Sequence, residues 1–163
     1  MDLTFRKVPA ELLAKFQELE ARGKYPKRKS MIVPALHIAQ EHYGWIPNEA
    51  VDAVAEFLEL APNYVKSDAS FYAMFFLEKP GRHVIQVCHN ISCYLEGAED
   101  IVEHLEKKLG IKCGGTTADG KFSLVTVECL AACGRGPVIQ INNREYHEQM
   151  TIAKVDALLN SLE

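Results

Sequence analysis

The sequence predicts an α/β protein in two parts, a helical N-terminal part over residues 1–80 and a strand-and-helix part over residues 81–163. Three observations carry that expectation. Apolar residues recur at three- and four-residue intervals through about residue 76, the spacing of one helix face. After EKPGR, near residue 80, the pattern gives way to short β-rich runs bounded by turn residues. Within the second part a strand, a helix and a strand follow in order, with a cysteine pair after each strand, which is the order of a parallel βαβ unit.

In the first part, AELLAKFQELEARG (10–23) sets Leu12, Leu13, Phe16 and Leu19 on one face and stops at Gly23. KYPKRKS follows, and its four basic residues read as a solvated loop. Ser30 is placed to cap a second helix through His42 carrying Ile32, Val33, Leu36, Ile38 and Ala39, which Gly44 and Pro47 terminate. Asn48 is placed to cap a third helix through Leu60 with Val51, Val54, Ala55 and Leu58 inward. Pro62 opens a shorter fourth segment ending in SFYAMFF, where Phe71, Tyr72, Phe75 and Phe76 read as packing between the two parts.

In the second part the expected elements are a strand at HVIQVC (83–88), a helix at AEDIVEHLEKKL (98–109) closed by Gly110, and a strand at FSLVTVEC (122–129). A strand at PVIQIN (137–142), a turn at Asn142 and Asn143, a strand at REYHEQ and a last helix from Thr151 complete it.

Composition narrows the function. A formal charge of −4 offers no excess of clustered Lys and Arg to track phosphates, so nucleic acid is not an expected partner. Apolar stretches break well before the roughly 20 residues a membrane span needs, and MDLTFRKVPAELLAKF has no signal-peptide core. A cytoplasmic protein is expected. Five cysteines, an odd number, argue against a disulfide framework in that compartment.

Cys88 and Cys93 have four residues between them and Cys129 and Cys133 three, on either side of a crossover containing the 98–109 helix. Parallel adjacent strands would release both loops at one sheet edge, beyond the carboxyl ends where ligands of α/β sheets gather. Four thiolates can converge there. They would suit structural zinc or a 2Fe-2S cluster. The small residues Ala131, Ala132, Gly134 and Gly136 favour the cluster, because backbone N–H groups can then approach sulfur, and a half with its own core has less need of zinc. Zinc stays open as the alternative, in an interaction module without redox chemistry. A thiol–disulfide role lacks the C-x-x-C spacing. A Rieske site lacks its second histidine, and strand alternation turns His89 away from Cys88. Cys113, in GIKCGGTTADG, has no partner at short spacing and is left outside the site.

CHNISC (88–93), LGIKCGGTTADGKFSLVTVECLAAC (109–133), GPVIQIN, GWIP and DASFY together resemble the small thioredoxin-like 2Fe-2S component, known as the 24 kDa or E subunit, of bacterial respiratory NADH:quinone oxidoreductase. The resemblance spans nearly the whole chain. It implies an N-terminal helical bundle followed by a thioredoxin-like 2Fe-2S ferredoxin domain, with Cys88, Cys93, Cys129 and Cys133 as the cluster and metal ligands. It also implies a partner flavoprotein that binds NADH and FMN, inside a larger oxidoreductase complex in the cytoplasm or at the cytoplasmic side of the inner membrane. This chain carries no nucleotide fingerprint, since GRGP (134–137) does not open a helix after a strand. Hydride transfer is therefore expected in the partner and no NADH oxidation from this chain alone. Two positions depart from the family pattern: Cys113 stands where proline is expected, and Ala131–Ala132 where Leu-Gly-Ala is commoner. The same module resembles subunits of NAD-linked hydrogenases and formate dehydrogenases, the alternative assignment.

Overall fold

The computed structural model describes residues 8–162. The chain forms two compact units, Met1–Lys79 and Pro80–Glu163.

The first unit holds α1 (Ala10–Ala21), a 3-10 turn (Arg28–Met31), α2 (Ile32–Tyr43), α3 (Asn48–Leu58) and α4 (Pro62–Phe71). Leu12, Phe16 and Leu19 of α1 meet Ile32, Leu36 and Ala39 of α2 and Val51, Val54 and Leu58 of α3 in one buried cluster. Leu13, Val33 and Ile38 are only half-buried. The basic loop is anchored by Arg28, whose guanidinium lies 2.7 Å from Glu59 and 3.2 Å from the Phe57 carbonyl.

Two expectations are corrected here, and the aromatic run divides between core and surface of the first unit. Ser30 lies inside the 3-10 turn and Asn48 is the first helical residue of α3, and neither helix has a side-chain cap. Pro47 precedes α3 in extended conformation and makes the turn into the helix. Of the aromatic run only Phe75 joins the core of the first unit, while Phe71 is 80% exposed and Tyr72 lies at the surface. The chain leaves α4 at Tyr72 in extended conformation, which breaks the helical spacing that would have aligned them. Residues 74–76 are then held by α2, because Gln40 donates to the Met74 carbonyl (2.9 Å) and accepts from the Phe76 N–H (2.8 Å).

The second unit contains β1 (His83–Cys88), α5 (Ile91–Leu95), α6 (Ala98–Leu109), β2 (Phe122–Val127), a 3-10 turn (Cys133–Arg135), β3 (Ile139–Ile141), β4 (Glu145–His147) and α7 (Ile152–Ser161). Sheet order is β2-β1-β3-β4. β1 and β2 run parallel in the register Ile85↔Leu124 and Cys88↔Val127, and β3 and β4 are antiparallel additions. Ile85, Val87, Leu124, Ile139 and Ile141 form one apolar face that Ile101 and Leu105 of α6 and Val155 and Leu159 of α7 cover. Gly110 closes α6 in the left-handed region at φ 67°. Thr151 caps α7 by accepting from the Lys154 N–H.

The turn after β3 is pinned to β1. Asn142 and Asn143 adopt φ of 53° and 59°, values that suit asparagine better than most side chains. Asn142 Oδ1 accepts from Val84 N–H at 2.7 Å, and the buried Gln86 exchanges two hydrogen bonds with Asn143, at 2.6 and 2.9 Å. β2 stops at Val127 rather than Cys129, opposite the end of β1 at Cys88.

Candidate metal centre

The parallel pairing of β1 and β2 delivers all four paired cysteines to one end of the sheet. Cys88 is the last residue of β1, and Cys93 sits on α5, a short helix that periodicity alone did not reveal. Cys129 follows β2 after Glu128, and Cys133 opens the 3-10 turn. The strand ends stay in register past Cys88, with His89 N–H donating to the Val127 carbonyl at 3.1 Å. Cys88 N–H donates to the Val138 carbonyl at 3.0 Å, which ties the first cysteine to the segment leaving the second loop.

The thiols form two pairs in electrostatic contact. Cys129 and Cys133 sulfurs lie 3.8 Å apart. Cys93 is pushed up to about 11 by burial first, then by a hydrogen bond with the Cys88 thiol and by the charges of Cys88 and Cys133, with the Val138 N–H opposing the rise. Cys133 is also raised, chiefly by its hydrogen bond with Cys129 and that neighbour's charge, and the Ser92 hydroxyl opposes it. Thiols crowded in this way cannot all ionise unless positive charge joins them. Bound metal ions supply that charge and deprotonate coordinating thiols outright. The donor set therefore fits a thiolate-ligated metal group.

Its division into pairs bears on which group. A single zinc holds four sulfurs at one tetrahedral centre. Two irons bridged by sulfide take two thiolates each, and the pairs Cys88–Cys93 and Cys129–Cys133 match that demand. Backbone donors reach the sulfurs as a cluster would need: the Ala131 N–H lies 3.3 Å from Cys129 Sγ, and the Val138 N–H faces Cys93. Ala131 is one of the small residues the sequence pointed to, and the two glycines of that loop have no close-packing need at these positions. A methyl at Gly134 would meet nothing within 4 Å, and one at Gly136 would make ordinary 3.5 Å contact with Cys93. Ala131 instead holds a left-handed φ of 58°, a conformation that costs a residue with a side chain roughly 1–2 kcal/mol.

The pairs also differ in exposure. Cys88 and Cys93 are 2% and 1% exposed, whereas Cys129 and Cys133 are at the surface. His89 lies half-exposed, with the Glu128 carboxylate 3.9 Å from its Nε2. Cys113 stands apart: its N–H donates to Glu106 at 2.8 Å and its sulfur lies 3.9 Å from the Thr126 hydroxyl. Ser92 and the Val138 N–H are contributors that the sequence did not single out. Ser92 adjoins Cys93 in CHNISC, but only the helical turn of α5 sends its hydroxyl toward Cys133.

Comparison with known proteins gives this geometry a family. The model of the thioredoxin-like [2Fe-2S] ferredoxin family matches residues 19–163. The chain belongs to that family. The cofactor of the family is a 2Fe-2S cluster. The second E subunit of the NADH-quinone oxidoreductases of Rhizobium meliloti is 45% identical over 146 residues, 89% of this chain and 86% of the relative. The E subunit of the Aquifex aeolicus NADH-quinone oxidoreductase is 42% identical, covering 85% of each chain, and NADH-quinone oxidoreductase subunit 2 of Thermus thermophilus is 40% identical over 88% of this chain and 80% of its own. Among solved structures, an NAD+-reducing [NiFe]-hydrogenase in the air-oxidized state superposes with a TM-score of 0.70 at 23% identity. It matches 81% of this chain, which spans only 22% of that chain. The likeness is one of fold. No helix among the described residues is long and apolar enough to cross a membrane.

Proposed function

We propose that this chain is the electron-transfer subunit of an NADH:quinone oxidoreductase, holding one 2Fe-2S cluster on Cys88, Cys93, Cys129 and Cys133. The observation that carries the reading is the convergence of two thiol pairs at one end of the β1–β2 pairing. Relatives 40–45% identical over most of the chain, subunits of NADH-quinone oxidoreductase by name, support it. When bound, the cluster supplies a one-electron site of low potential.

The residues of the chain do the remaining work. Cys88 and Cys93 are buried and keep water from one side of the centre. N–H groups of Ala131 and Val138 and the Ser92 hydroxyl donate toward sulfur and favour its negative charge. Cys129 and Cys133 face outward, so single electrons would be exchanged on that side with the FMN of a partner flavoprotein that also binds NADH. This chain performs no hydride transfer. In this reading residues 1–80 form a helical domain that docks on the partner, residues 81–163 form the ferredoxin domain, and the complex works in the cytoplasm or on the cytoplasmic face of the inner membrane. A diaphorase role in a hydrogenase is supported by fold likeness alone and ranks behind.

Iron, zinc and acid-labile sulfide analysis of anaerobically purified protein tests the reading. About two irons and two sulfides per chain are expected, with a reducible brown-red chromophore. Stoichiometric zinc and a colourless protein would refute it.

A further inference from the structure

Beside the exposed thiol pair lies an ion pair that the cluster assignment does not use. Arg135 ends the 3-10 turn that Cys133 opens. Its guanidinium lies 2.8 Å from Glu148 in the β4–α7 connection. Two backbone bonds run alongside: Gln149 N–H donates to the Arg135 carbonyl at 2.8 Å and Met150 N–H to the Pro137 carbonyl at 3.0 Å. Gln149 holds a left-handed φ of 49°, and its carbonyl accepts from Lys154 Nζ at 2.8 Å. The thiol loop is thus strapped to this connection by main-chain bonds, and the charged pair is added to them.

An exposed ion pair contributes little to stability, typically about 0–1 kcal/mol. Arg135 is 68% exposed and Glu148 32% by side chain, and the backbone bonds already hold the loop. The charges have a different use. Adding an electron to a thiolate-ligated centre adds negative charge, which a nearby cation favours and a nearby anion opposes. An uncompensated guanidinium on the turn that Cys133 opens would therefore favour reduction, and an uncompensated carboxylate would oppose it.

We propose that Glu148 and Arg135 are positioning residues that set the reduction potential of the centre at Cys133 as a balanced charge pair. The inference rests on the 2Fe-2S reading. Its signature is one of sign. Glu148→Gln leaves the guanidinium uncompensated and shifts the midpoint potential upward. Arg135→Gln leaves the carboxylate uncompensated and shifts it downward. The double variant returns close to the native value, and Arg135→Lys, which keeps the charge, stays there too. Both single shifts shrink in high salt, since the pair is exposed to screening.

The test is redox titration of the full-length chain and these four variants, followed by electron paramagnetic resonance, at low and at high ionic strength. Opposite shifts that cancel in the double variant are expected. Shifts of the same sign in both single variants, or none with the signal intact, overturn the proposal. So does loss of the signal from Glu148→Gln while Arg135→Lys keeps it, because the pair would then act as a structural strap. A native protein without iron, sulfide or signal instead sinks the cluster reading itself, so the two failures are distinguishable.

Discussion

Gly81 offers a stability test in which two effects oppose each other and the geometry decides between them. It precedes β1, and its N–H donates to the Ser123 hydroxyl of β2 at 2.8 Å. A methyl built on it would stand 2.8 Å from the Phe122 carbonyl carbon, 3.0 Å from the Phe122 nitrogen and 3.1 Å from the Lys121 carbonyl carbon. Gly81 does not occupy the left-handed region, so Gly81→Ala should by chain entropy alone stabilise the protein by about 0.4–1 kcal/mol. The clash wins, because the atoms met are backbone and cannot rotate aside. Overpacking of this kind costs about 1–3 kcal/mol. For a unit the size of Pro80–Glu163, each kcal/mol lowers the melting midpoint by roughly 4–8 °C. Thermal denaturation of metal-free protein followed by circular dichroism measures it. Gly134→Ala is the control, since a methyl there meets nothing within 4 Å and the residue is not left-handed. A Gly81→Ala protein as stable as the native one, or more so, would refute the reasoning.

Cys88→Ser and Cys129→Ser should each lose or strongly alter the visible spectrum of the centre, while Cys113→Ala leaves it intact, because Cys113 sits against Thr126 and Glu106. A spectrum abolished by Cys113→Ala would overturn the ligand set. The isolated chain should bind neither NADH nor FMN by calorimetry, since among the described residues no glycine-rich turn opens a helix to cradle phosphate. Lys108 first and His104 second hold the Asp156 carboxyl below the usual carboxylate range, each with an atom 2.7 Å from its Oδ1. A depressed carboxylate contributes stability above its unfolded pKa of about 3.9 and loses it as pH falls through the folded value. Native and Asp156→Asn proteins should accordingly differ in midpoint near neutrality and converge in acid, and a gap independent of pH would count against the clamp. A chain beginning at residue 80 should keep its 2Fe-2S resonance after reduction yet co-purify poorly with the flavoprotein; loss of the cluster or undiminished co-purification would go against the proposed division of work.

Elements with strong local signals were legible in the sequence. HVIQVC became β1 and AEDIVEHLEKKL became α6 to the residue, the latter because an amphipathic face and Gly110 agree on its limits. The parallel pairing followed from crossover length. What escaped depends on tertiary context. α5 is five residues long with Ile91 and Leu95 exposed, so it has no apolar face toward its own core beyond Cys93, and periodicity cannot register it. Ser30 and Asn48 have the right chemistry for caps, but the preceding backbone already makes the turn. Convergence of the cysteines could be read from strand order. The contrast between a buried and an exposed pair could not, because it arises from where α5 and the 3-10 turn pack.

That convergence depends less on the cysteine loops than on the strands behind them. The register Cys88↔Val127 sets how far beyond β2 the second pair emerges. A slip of one residue would turn Leu124, fully buried, away from the apolar face and bring its neighbours inward. A slip of two residues preserves the face but moves Cys129 and Cys133 together by about 6.6 Å along the sheet, out of step with Cys88 at the end of β1. Apolar alternation therefore forbids the first error but not the second. Contacts at the other end of the strands forbid the second: Gly81 lies against the backbone of Phe122, and Ser123 accepts the Gly81 N–H and shares a hydrogen bond with Thr116. These contacts match one residue of β2 to one place on the approach to β1, and the six-residue strands carry that choice to the thiols at their far ends.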